Sequence, residues 1–285
     1  MVSRVSPALF RIDVGDGIVR VARGDVDTGP TELVQLDDFA GLDAAAVRTA
    51  LDGSAVGPIP PNARVIAPVG PTQEVWAAGV TYERSLEARS EEAADATPYD
   101  LVYVAERPEL FFKAPGWRVR GPNEPIAIRA DSGWDVPEPE LALVLDTKMN
   151  VIGYTIGNDV SSRTIEGENP LYLPQAKVYD GACALGPALV AADRVEPPFD
   201  IRVDIVREGA SVFSGETSTG KMRRSFEELA AHLGRALTLP HGAILLTGTG
   251  IVPDTSVTLH EGDVVRIEID WLGVLENRVE VVGRG

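Results

Sequence analysis

The stretch VPEPELALVL, residues 136–145, places two carboxylates, Glu138 and Glu140, at the head of an apolar run. Residues two apart on an extended strand face the same way. After TKMN (147–150) the apolar pattern resumes in VIGYTIGND, which predicts an antiparallel hairpin. In its register Glu138 lies opposite Asp159 and Glu140 opposite Gly157, with Gly153 further along; the two glycines would leave room for an ion and a ligand. Leu141, Leu143 and Leu145 would share the other face, the core face, with Ile152, Tyr154 and Ile156. Cross-strand Cβ atoms are about 5 Å apart, where three carboxylates repel by roughly 3 kcal/mol per pair at an effective dielectric of about 20. A positive charge must sit among them. The set is all oxygen, with no histidine or thiol nearby, which suits Mg²⁺, with Mn²⁺ or Ca²⁺ as substitutes, better than zinc. Pro137 and Pro139 limit ladder pairing there and stiffen the glutamates. The competing reading of the same residues is a solvated sheet face.

The elements that must hold this hairpin are mostly strands. Among 285 residues, 28 glycines and 21 prolines punctuate short runs of Val, Ile and Leu, and 44% hydrophobic residues suffice for a large core. DVVRIEIDWLGVLENRVEVV alternates with period two around Leu272 and Gly273 and predicts a second hairpin. The clearest helix is SFEELAAHLGRAL, with Ser225 and Glu228 at capping-box spacing and Phe226, Leu229, Ala230, Leu233 and Leu237 at helical intervals. A second helix is expected in LDAAAVRTALDG (42–53), before the linker-like GPIPPNA, which sets a boundary between a small N-terminal domain (1–62) and a large one (63–285). The net charge of −17 excludes a sequence-independent nucleic-acid surface and an anionic-lipid surface. One cysteine, Cys183, forms no internal disulfide, and no apolar run reaches the roughly 18 residues of a membrane span. Without a signal-peptide apolar stretch, a cytoplasmic setting is expected. Cys183, Trp134 and Trp271 are expected to pack rather than react.

EPELALVL, GYTIGNDVSSR (153–163), TGTG (247–250) and LHEGDVVRIEIDWLGVLENRV together resemble the fumarylacetoacetate hydrolase family over most of residues 70–281. The resemblance implies an α+β, β-rich fold, a rolled mixed sheet behind a small N-terminal α/β domain. It also implies a divalent cation on Glu138, Glu140 and Asp159, and a homodimer or dimer of dimers. RTIEGENPLYLPQAKVYDGACALGP (163–187), GVTYERSLEAR (79–89) and ERPELFFKA (106–114) are similar to the family branch that dehydrates 2-keto-3-deoxy sugar acids. The branch implies a small-molecule 2-oxo sugar acid as substrate, 2-dehydro-3-deoxy-D-arabinonate losing water to give 2,5-dioxopentanoate. The family's hydrolases carry G-x-x-Y-x-x-H-x-x-E; here Gly79 and Tyr82 match, but Ser85 and Ala88 stand at the His and Glu positions. The water-activating pair of an acylpyruvate-type C–C hydrolase is therefore missing.

Dehydration needs an acidified C3, a base and an acid. Mg²⁺ holding a 2-oxo acid is a Lewis acid that acidifies C3. Lys177 is the candidate base, since an ammonium beside a divalent cation loses its proton more readily; the competing reading is a counter-charge. Glu109 is the candidate acid for the departing C4 hydroxyl, directly or through a water. The TGTG turn offers the Gly248 N–H and the Thr249 hydroxyl to a substrate carboxylate. Tyr82, Arg84, Ser85 and Gln175 are expected to line the sugar-acid pocket, with Arg163, Glu166 and Glu168 organising a loop over it. A metal-dependent hydrolase or decarboxylase, and a non-catalytic oxo-acid-binding protein, stay as rivals.

Overall fold

The computed structural model describes residues 7–15, 17–83 and 98–283. Their architecture is β-rich and mixed. An 11-stranded sheet runs Gly57–Pro58, Gly29–Leu33, Val19–Asp25, Pro7–Asp13, Cys183–Ala191, Val151–Asp159, Pro139–Leu145, Ala243–Leu246, Glu74–Gly79 and Glu109–Pro115, with Arg64–Ile66 paired onto Pro7–Asp13. A 5-stranded sheet runs Ala210–Ser218, Asp200–Arg207, Val264–Ile269, Gly273–Val282 and Ile126–Arg129. One parallel pair in each, Ala243–Leu246 with Glu74–Gly79 and Gly273–Val282 with Ile126–Arg129, makes both sheets mixed. The strands of the first 62 residues continue the larger sheet, Ala8 pairing with Val190. Among the described residues no helix is long and apolar enough to cross a membrane.

The central hairpin has the expected register over most of its length. Glu140 pairs with Gly157, Leu141 with Ile156 and Val144 with Gly153, and the Asp159 N–H donates to the Glu138 carbonyl at 3.0 Å. A bulge between Val144 and Leu145 then pairs Leu145 with Val151. Ile152 is thereby turned to the opposite face from that expected, and packs with Ala142 and Val144. That face is a second core, not an open one. Leu141, Leu143 and Tyr154 meet Ile201 and Ile267 of the smaller sheet, while Ala142 and Val144 belong to the second core, which also takes in Val47 and Leu51 of the helix Ala44–Asp52. Each fully buried leucine contributes about 2 kcal/mol of transfer free energy, so both faces hold the strand in place.

The glycines serve this packing. A Cβ on Gly157 would come within 2.2 Å of Leu246 Cδ2, and one on Gly153 within 2.7 Å of the Val190 carbonyl. They let neighbouring strands close up and do not, as expected from the sequence, clear space for a ligand.

Two smaller expectations shift. The helix Phe226–Gly234 starts at the Ser225 cap, whose hydroxyl accepts from the Glu228 N–H at 3.1 Å, but ends before Leu237, which is exposed. The C-terminal hairpin centres on Trp271, which adopts φ +70°, rather than on Leu272 and Gly273.

Candidate active site

Glu138, Glu140 and Asp159 meet at the end of the central hairpin, where each offers a carboxylate oxygen within 4.8 Å of the other two. All three are buried. Oxygens sharing a Mg²⁺ or Ca²⁺ shell at 2.0–2.6 Å lie at most about 5 Å apart, so the trio matches one ion. Burial first, then the charges of Asp159 and Glu138, push the Glu140 carboxyl well above the usual carboxylate range, against the pull of Lys177 and the Gly248 N–H. Arg163, Lys113 and Lys177 pair with Glu138 and Asp159, whereas Glu140 takes the Gly248 N–H, and a hard divalent ion fits the converging oxygens.

Lys177 closes the short helix Leu173–Lys177, and its Nζ donates to Glu138 Oε2 at 2.7 Å, Asp159 Oδ2 at 3.2 Å and Ser161 Oγ at 2.6 Å. The Phe111 ring lies 5.6 Å from Nζ and keeps water from that side. Arg163, first residue of the helix Arg163–Glu168, pairs with Glu138 Oε1 at 3.1 Å and approaches Glu166 at 3.7 Å. Ser162 caps that helix by accepting from the Ile165 N–H at 3.3 Å.

One cleft brings together Glu109, Glu138, Asp159, Lys177, Gly248 and Thr249, and also Arg163 and Glu166. Among the described residues, Tyr82, Gln175 and Glu168 do not line that cleft. The Gly248 N–H, expected to receive a substrate carboxylate, donates instead to Glu140 Oε2 at 2.6 Å and so aims a ligand carboxylate. Gly248 has φ +88° with Thr81 Oγ1 where a Cβ would go, which leaves glycine as the residue for this position. Tyr82 is buried with its ring against Gly250, facing a neighbouring cavity. Burial and the Glu140 charge push its phenol up. Gln175 and Glu168 are exposed, because the helices that carry them turn Lys177, Arg163 and Glu166 inward. Arg84 and Ser85 lie outside the described residues. Cys183 is buried and its thiol pushed up to about 12 by burial, so it packs rather than reacts.

The sequence reading passed over Lys113. Its side chain is 0% exposed, it pairs with Asp159 Oδ1, and its Nζ donates to the carbonyls of Val160 at 3.1 Å and Lys177 at 2.5 Å. A lysine inside the apolar strand LFFKA was the available signal.

Residues 74–280 match the fumarylacetoacetate (FAA) hydrolase C-terminal family. The chain is 50% identical over 212 residues to a probable 2-keto-3-deoxyxylonate dehydratase of Haloferax volcanii, spanning 74% of this chain and 73% of that protein. It is 48% identical over 218 residues to the 2-dehydro-3-deoxy-D-arabinonate dehydratase of Saccharolobus solfataricus, again 74% and 73% of the two chains. A solved structure of 2-keto-3-deoxy-D-arabinonate dehydratase complexed with magnesium and 2,5-dioxopentanoate superposes with a TM-score of 0.82 at 38% identity, covering 96% of this chain and 98% of that one. With its rolled sheet, its oxygen-only trio and a match across residues 74–280, this chain belongs to the fumarylacetoacetate hydrolase family.

Proposed function

We propose that the protein is a Mg²⁺-dependent hydro-lyase of a 2-keto-3-deoxy sugar acid, converting 2-dehydro-3-deoxy-D-arabinonate into 2,5-dioxopentanoate and water. The observation that carries this reading is the placement of the Lys177 amine on the carboxylates of Glu138 and Asp159, in one cleft with Glu109. The two dehydratase relatives and the magnesium complex support it.

Glu138, Glu140 and Asp159 would hold the ion. When bound it polarises the 2-oxo group of the substrate, acidifies C3 and favours the neutral form of the adjacent amine. Lys177 Nζ, as the amine, takes a proton from C3. The C3 electron pair forms the C3–C4 double bond as the C4–O bond breaks, and Glu109 delivers a proton to the departing hydroxyl, which leaves as water. Tautomerisation moves a proton from C5 to C3, giving the C4–C5 enol, whose hydroxyl proton then passes to C4 and yields the 5-aldehyde. Phe111 and Leu173 wall the cleft against bulk water, which protects the proton transfers. Thr249, which lines the cleft, would meet the substrate, and Arg163, paired with Glu138, would steady it.

Purified protein with Mg²⁺ and a panel of 2-oxo acids tests this directly. Water loss from 2-keto-3-deoxy-pentonates is expected, with no C–C cleavage of acylpyruvates. The reverse result would make it a hydrolase, and binding without turnover would make it a carrier.

Glu109 is testable through its neighbour. Gly79 pairs with Glu109, and a Cβ on Gly79 would lie 2.0 Å from Glu109 Oε2. Gly79→Ala therefore pushes the carboxyl out of place while the backbone stays put, because the displaced group is the end of a flexible side chain. Misplacement by about 1 Å costs up to about 100-fold in rate, so kcat is expected to fall 10- to 100-fold with the melting temperature nearly unchanged. Unaltered kcat would remove Glu109 from the acid role.

A domain boundary near residue 62 belongs to the same proposal, supported by a family match that begins at residue 74. So do a homodimer or dimer of dimers, for which the exposed Trp117 and Leu171 supply apolar surface, and a cytoplasmic setting, in keeping with a lone, buried cysteine.

A further inference from the structure

Lys113 belongs to no pair in its sheet. Phe112 pairs with Trp76 and Ala114 with Val75, which leaves Lys113 as the extra residue of a bulge. Bulges next to active sites re-aim a side chain, and this one buries an ammonium group completely. Its three partners are Asp159 Oδ1, the Val160 carbonyl and the Lys177 carbonyl. Asp159 is thus gripped from both sides, Oδ1 by Lys113 and Oδ2 by Lys177. Burying a charge this deeply is expensive unless every partner is in place.

We propose that Lys113 is a positioning residue of the site. It pairs with Asp159 Oδ1, which leaves Oδ2, the oxygen that Lys177 also reaches, as the one less tightly held, and it anchors the last carbonyl of the helix Leu173–Lys177, which sets where the Lys177 amine can reach. The inference rests on the metal and base roles proposed above, and it adds a definite sign. A fixed ammonium beside the ion opposes ion binding by Coulomb repulsion and forbids Asp159 a two-oxygen grip. Lys113 therefore makes the ion bind less tightly than the carboxylates alone would allow, in exchange for a correctly placed base.

Lys113→Met keeps the length and apolar stem while removing the charge. Mn²⁺ titration of the substrate-free protein, followed by calorimetry and by the electron-spin signal of the free ion, is expected to show binding on the order of 10-fold tighter. Turnover at saturating Mn²⁺ is expected to fall on the order of 100-fold through kcat, with KM little changed. A lysine that merely supports the fold would weaken Mn²⁺ binding together with activity, and weaker or unchanged binding overturns the proposal. Should the single variant fail to fold, the comparison moves to an Asp159→Asn background, where the buried ammonium loses its counter-charge. There Lys113→Met, which leaves neither charge buried, is again expected to tighten Mn²⁺ binding relative to Asp159→Asn alone, because the Coulomb repulsion does not pass through Asp159, and unchanged or weaker binding would overturn the proposal. The titrations use no substrate, so failure of the dehydration assay and failure of this inference are separate results.

Discussion

Lys177→Met is expected to abolish exchange of the substrate's C3 proton with solvent deuterium and to lower turnover by about 10²–10⁴-fold, the contribution of a positioned base. Methionine fills the same buried volume beside Phe111. Glu138 keeps Arg163 and Asp159 keeps Lys113, so the two carboxylates are not stripped of positive partners. Breaking a buried pair still costs about 3–5 kcal/mol, and saturating Mg²⁺ in the assay offsets that by mass action. Lys177→Arg separates base from counter-charge, because a guanidinium keeps the charge but does not give up its proton near neutral pH. If Lys177 is the base, both variants lose exchange. If exchange persists in Lys177→Arg, the lysine is a counter-charge and the base lies elsewhere.

The second large effect is loss of the ion. EDTA is expected to abolish turnover and Mg²⁺ to restore it, while Glu140→Gln weakens Mg²⁺ binding by removing one anionic ligand. The same substitution has an opposite consequence for the metal-free protein. The Glu140 carboxyl is held well above its usual range by burial and by the charges of Asp159 and Glu138. An amide there is neutral and still accepts the Gly248 N–H. Metal-free Glu140→Gln is therefore expected to melt at or above the wild-type temperature, with most of the Mg²⁺-induced rise lost. Thermal melts with and without 10-fold steps of Mg²⁺ check both halves. Full activity in chelator, or an unchanged Mg²⁺ response in Glu140→Gln, would end the metal reading.

Alternation of period two carries a great deal in this chain. It is enough to place Glu138, Glu140 and Asp159 on one face, because a hairpin with one buried face tolerates no slip of register. Helical spacing and a capping box likewise identify the helix capped by Ser225. What alternation does not report is whether the second face is open. ELALVL is apolar at every position after Glu140, the mark of a strand buried on both sides, and Ala142 and Val144 do lie in the core that the helix Ala44–Asp52 helps to cover.

Bulges are equally silent in sequence, since an extra residue looks like any other. The one at Leu145 depends on the turn that follows, where Asp146 Oδ1 accepts the N–H groups of Lys148 and Asn150 and Met149 adopts φ +65°. The one at Lys113 hid a residue of the site among the phenylalanines of its strand. Gln175 misled for a related reason. It lies two positions from Lys177, which on a helix means the other side of the axis.

The strand Pro139–Leu145 is buried along its whole length, and it is hydrogen-bonded to Val151–Asp159 on one edge and to Ala243–Leu246 on the other. Its backbone has already paid out its conformational freedom when the protein folds. Uptake of the ion thus orders almost no chain, and the entropy change of that step is that of water: molecules released from the hydrated cation and from three carboxylates. Selection among cations then turns on how readily each sheds its hydration shell and how well it accepts a rigid oxygen cage. Mg²⁺, small and reluctant to dehydrate, and the larger Ca²⁺ would differ in rate of entry even where their final affinities are close.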